Sequence, residues 1–123
     1  MQRRRLSSWL GHGLGAAIFS LSAAVQLNDP DPARWVLLYT AAALLAALAP
    51  LRYPALRRAS GALALVAAAW GAWLLSADLP ALDAAVISTD PTMKTPGVEL
   101  WREGLGLLLV ATYHALVALW PAR

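Results

Sequence analysis

The sequence predicts an all-α integral membrane protein, a four-helix bundle forming one domain over residues 1–123 with both termini on the cytoplasmic side. Three observations carry this expectation. Of 123 residues, 59% are hydrophobic and 14% charged, with a mean hydropathy of +0.56, whereas soluble domains carry about 25% charged residues. Four apolar stretches each approach the roughly 20 residues that a helix needs to cross the hydrocarbon core. Basic residues gather in alternate connections, the pattern that orients a chain in a membrane.

The first stretch runs from about Leu6 to Leu27 without a charged residue. Arg3, Arg4 and Arg5 precede it, and Ser22-Ala23-Ala24 near its end resembles a signal-peptide cleavage site. The apolar run exceeds the usual h-region, so it is expected to remain as a span. Asn28-Asp29-Pro30-Asp31-Pro32 then reads as a tight turn, with Pro30 helping to stop the first helix. Asp31 followed by Pro32 has the form of an N-cap with proline at the first helical position.

The second, third and fourth helices are expected from about Ala33 to Leu51, Ala59 to Ala77 and Val98 to Trp120. All are rich in alanine and leucine, good helix formers, and helices satisfy every backbone polar group internally, as lipid demands. The alternation of a β-barrel strand is absent. The longest connection, about Asp78 to Gly97, contains Pro80, Pro91, Pro96 and an apolar piece from Ala81 to Ile87 suited to the interface. Gly11 with Gly15, and Gly104 with Gly106, would let helices approach closely.

Arg52, Arg57 and Arg58 lie between helices two and three, and Arg123 ends the chain. The other two connections hold Asp29, Asp31, Asp78, Asp83 and Asp90, with Arg34 and Lys94 as their bases. The positive-inside pattern therefore places both termini and the second connection in the cytoplasm. Trp9, Trp35, Trp101 and Trp120 fall near helix ends, where aromatic belts form. The expected location is a cytoplasmic membrane of bacterial type. The net charge of +3 reads as anchoring to anionic lipid. The expected partners are the bilayer and a second copy or another membrane protein. No basic patch interleaved with aromatics points to nucleic acid. The absence of cysteine excludes disulfides, thiolate metal sites and cysteine nucleophiles. No serine sits in a nucleophile elbow, and no glycine loop would cradle phosphate.

One polar cluster stands out. Gln26, Asn28, Asp29 and Asp31 fall at the extracytoplasmic end of helix one, and Glu99, Arg102 and Glu103 at the same end of helix four. Glu99 and Glu103 share a helix face. Glu103 lies about 6 Å deeper, where a carboxylate needs a partner. Asp29, Asp31, Glu99 and Glu103 together offer oxygen ligands for a hard divalent cation. Equally, Asp31 caps a helix, and Arg102 with Glu103 forms an ion pair that locks helix four to the first connection. Trp35 and Tyr39, one turn apart, would wall a pocket with Trp101. A second pair, His12 and His114, falls at similar depth on two helices, a geometry that can ligate haem iron. Glu103 and His114, eleven residues apart, share one face with Gly106, a stripe able to relay protons.

The run Leu21-Ser22-Ala23-Ala24-Val25-Gln26-Leu27-Asn28-Asp29-Pro30-Asp31, followed by Trp35 and Tyr39, resembles the transmembrane protein 220 family. The segment Glu99-x-x-Arg102-Glu103-x-x-Gly106-Leu107 is similar to the start of that family's last helix. The resemblance implies a multi-helix fold and a membrane location; it carries no activity with it. It singles out Gln26, Asn28, Asp29, Asp31, Trp35, Tyr39, Arg102 and Glu103. His12 and His114 lie outside the family pattern. The leading expectation is thus a non-enzymatic membrane protein whose polar cluster locks the bundle. The alternatives are a divalent-cation or small polar ligand site at the carboxylates, and a haem-binding redox bundle.

Overall fold

The structure is a computed structural model that describes residues 2–28, 31–76 and 96–120, of which 2–5 and 96–99 are described in backbone only. Asp29, the apolar piece 81–87 and Arg123 lie outside the described residues. Helix α1 spans Gln2–Val25 and tightens into a 3₁₀ turn, Gln26–Asn28. Helix α2 spans Pro32–Leu48 and runs into a second 3₁₀ turn, Ala49–Leu51. Helix α3 spans Pro54–Leu75 and helix α4 Pro96–Leu119. No strand is present among the described residues. All four helices are long and apolar enough to cross a membrane, with candidate spans of 23, 20, 22 and 20 residues. At about 1.5 Å per residue, each covers the hydrocarbon thickness.

Helix α3 begins earlier than its apolar stretch suggests. Pro54 opens it, with Tyr53 extended just before, so Arg57 and Arg58 fall inside the helix. Charge marks where the apolar run ends, whereas proline with its fixed φ marks where a helix can start. Pro32 likewise opens α2, but the expected side-chain cap is not made by Asp31. The Asp31 carboxylate lies instead 3.5 Å from Nε of Arg34, one turn into α2.

The four helices form two antiparallel hairpins, α1 with α2 and α3 with α4. Hydrophobic burial does little to join helices in lipid, where tails are as apolar as leucine; close packing of small residues does the work. The inward faces are built that way. Ala42, Ala43 and Ala46 are buried on α2 and Ala49 on the turn that follows it, and Ser60, Ala64, Ala67 and Gly71 on α3. Large aliphatics such as Leu14, Leu37, Leu65 and Leu109 point outward.

Two glycines in the α3–α4 seam make a testable contrast. A Cβ on Gly71 would stand 3.2 Å from Leu107 Cβ and 3.5 Å from the Gly104 carbonyl, neither of which can turn aside. A Cβ on Gly104 would stand 2.5 Å from Cδ2 and 2.6 Å from Cγ of Leu75, so that half-buried side chain would have to turn, at a cost close to the helix propensity gained. Gly71→Val is therefore expected to cost about 2 kcal/mol by overpacking. Gly104→Ala should stay within about 0.5 kcal/mol of wild type. Unfolding in mixed micelles of a denaturing detergent measures both.

Candidate functional site

The hairpins meet across a seam of aromatic and polar side chains. Near the end where α2 starts and α3 finishes, the Trp35 ring stacks on Trp70 of α3, with centroids 4.6 Å apart and planes at 17°. The Arg34 guanidinium lies 5.4 Å from the Trp35 ring and 5.7 Å from that of Trp70. Asp31 thus holds an arginine over an indole pair at the surface. Trp35 itself is 0% exposed, and its indole N–H has no hydrogen-bond partner among the described residues. Sequence reasoning expected Trp101 as the neighbouring wall and did not identify Trp70. Its signal was slight: one bulky ring following Ala67-Ala68-Ala69.

One turn along α2, Tyr39 crosses to α4. Its hydroxyl rests on Gly106, on ground a Cβ would occupy. Glu103, only 7% exposed, lies one turn before Gly106 on the same side of α4. This is the inter-helix contact that the sequence motifs foreshadow. It joins α2 to α4.

The remaining candidates divide. Gln26 is buried in the 3₁₀ turn that ends α1, and its Oε1 has no hydrogen-bond partner among the described residues. Asn28 and Asp31 are exposed, Arg102 is half-buried, and Glu99 lies within α4 with its side chain outside the described atoms. Among the described residues, no three His, Asp or Glu side chains gather as metal ligands.

Toward the opposite end, α1 meets α4 through a second cluster. Nδ1 of His12 lies 2.5 Å from the Tyr113 hydroxyl. Nδ1 of His114 lies 3.3 Å from Ser60 Oγ of α3. The imidazole tautomer sets which atom donates in each. Phe19 stacks on His114 at 5.7 Å and 25°, and Tyr113 stands edge-on to both imidazoles. His114 is fully buried. A macrocycle ligated by both histidines would have to displace Tyr113 and Phe19. Along α4, Glu103, Leu107, Val110 and His114 are all buried on one face. Leu107 and Val110 therefore separate the two polar clusters with a band of hydrocarbon.

Four membrane-length helices joined through buried polar and aromatic contacts define a polytopic α-helical membrane protein. The family model described as "Transmembrane family 220, helix" matches residues 18–119. The chain belongs to transmembrane family 220. The matched segment covers both the Gln26–Tyr39 and the Arg102–Gly106 regions. No solved structure matches the chain.

Proposed function

We propose that the protein is a non-enzymatic membrane component, an accessory or oligomerising subunit whose polar cluster fixes the two hairpins in one arrangement. The observation that carries this reading is the placement of Tyr39 on Gly106 beside the buried Glu103. A buried carboxylate in a bundle interior is expensive unless it has a partner, and here it lies where α2 crosses α4. The Trp35–Trp70 stack joins α2 to α3 at the same end. Together these contacts tie one hairpin to both helices of the other. The arginines of the other end support an orientation with that end cytoplasmic. This puts the lock on the extracytoplasmic side of a bacterial-type inner membrane.

Glu103→Gln tests this reading against a cation site. Purified wild type is expected to hold no stoichiometric divalent metal by elemental analysis, and the variant to lose about 1–2 kcal/mol of unfolding free energy, as for a weakened bond to a charged group. Stoichiometric metal in wild type that disappears in a normally folded variant would overturn the lock and make the carboxylates a ligand site.

A further inference from the structure

Among the described residues, no acid stands near the arginine-bearing end to meet its charge. No acidic residue occurs from Met1 to Asn28, from Pro32 to Ala77, or after Glu103. Arg52 just precedes α3 and Arg57 and Arg58 lie in its first turns, at the end of the bundle where Arg57 reaches the close of α4. Arg52 takes the left-handed conformation, φ 59°, between the Ala49–Leu51 turn and α3. Helix α1, which opens with Arg3, Arg4 and Arg5, packs against that same turn. Arg57 and Arg58 stand just inside the amino end of α3, whose first turn holds no acid and whose N-cap, Tyr53, makes no side-chain bond. A helix amino end already carries partial positive charge, so these guanidiniums add to it.

The Arg57 side chain is only partly satisfied. Its Nη2 donates to the Ala118 carbonyl at the end of α4, 2.9 Å away. Its Nε is enclosed and has no hydrogen-bond partner among the described residues. A guanidinium presents five N–H donors in a fork that matches two oxygens of a phosphate. The surroundings decide what carries that anion. Leu51, Tyr53, Leu119 and Trp120 are exposed around the corner, an apolar and aromatic rim suited to acyl chains and headgroups rather than bulk water.

We propose that Arg52, Arg57 and Arg58 form a binding site for the phosphate of an anionic phospholipid. The lipid phosphate accepts from the guanidinium forks, and its chains lie along the outward faces of α3 and α4.

The test uses detergent-purified full-length protein and native mass spectrometry, with phosphatidylglycerol and phosphatidylcholine of identical chains. Arg52→Gln with Arg58→Gln leaves the Arg57–Ala118 bond in place and keeps the fold testable. Each basic residue near an anionic headgroup contributes about 1 kcal/mol, or about fivefold. Wild type is expected to retain phosphatidylglycerol over phosphatidylcholine. The double variant should bind it about 25-fold more weakly, and Arg34→Gln, at the opposite end, should change nothing. Equal retention of the two lipids, or a double variant that binds like wild type, would overturn the proposal. Displacement of the lipid by millimolar inorganic phosphate would overturn it too, by assigning the corner to a soluble anion.

Discussion

Truncating Trp35 to alanine is expected to lower the unfolding free energy by about 3 kcal/mol, the lower end for a buried tryptophan. Three losses combine. A fully buried ring leaves a cavity under Trp70. The stacked pair is worth about 1 kcal/mol. The Arg34 guanidinium loses one of its two ring faces, worth about 0.5–1 kcal/mol. The transfer contribution is smaller than in a soluble core, because the separated helices remain in an apolar solvent. Trp70→Ala removes the same stack. The double variant should therefore fall short of the summed single losses by about 1 kcal/mol. Trp35→Phe is informative for a different reason. It keeps a stacking ring and deletes an indole N–H that has no hydrogen-bond partner among the described residues. Leaving such a donor buried costs about 1–3 kcal/mol, so the phenylalanine variant should unfold within about 1 kcal/mol of wild type. Steepening detergent titrations of the set, followed by far-ultraviolet circular dichroism, would expose a mistaken stack if Trp35→Ala proved as stable as Trp35→Phe.

The second large effect is expected at Gly106. The hydroxyl of Tyr39 already occupies the space of a Cβ there, and the Tyr39 ring is buried and cannot swing away. Overpacking of about 3 kcal/mol, less about 1 kcal/mol gained in helix propensity, leaves Gly106→Ala about 2 kcal/mol less stable than wild type. The remedy is specific. In Tyr39→Phe the nearest atom to that Cβ becomes the ring carbon Cζ at 3.5 Å, an ordinary contact. Gly106→Ala should therefore be nearly silent in the Tyr39→Phe background. A Gly106→Ala loss that persists there would place the tyrosine elsewhere.

Much of this architecture was legible in the sequence, for identifiable reasons. Apolar length and alanine-leucine content fix spans because lipid leaves the backbone no alternative to a helix. Eleven-residue spacing put Glu103 and His114 on one face, and both are buried. The partner of each face was not legible. Helical period states which residues share a side, and says nothing about which side of another helix meets it. Depth suggests Trp101 as a wall beside Trp35 and Tyr39, but does not reveal the stack of Trp35 on Trp70. Ser60 and Tyr113 went unremarked, although they hold the two histidines. Grouping Asp31 with Glu103 by membrane level overlooked rotation about the axis. Asp31 precedes α2 and turns outward to Arg34, while Glu103 points into the bundle. The start of α3 was misplaced because charge, unlike proline, does not stop a helix.

The central claim is that Tyr39 and Glu103 couple α2 to α4. A double-mutant cycle of Tyr39→Phe with Glu103→Met, read as unfolding free energies in mixed micelles, measures that coupling directly. The two single losses should exceed the loss in the double variant by at least about 1 kcal/mol, as for interacting neighbours. Additivity within about 0.3 kcal/mol would mean that the two residues do not act on each other, and the lock between the hairpins would have to lie elsewhere.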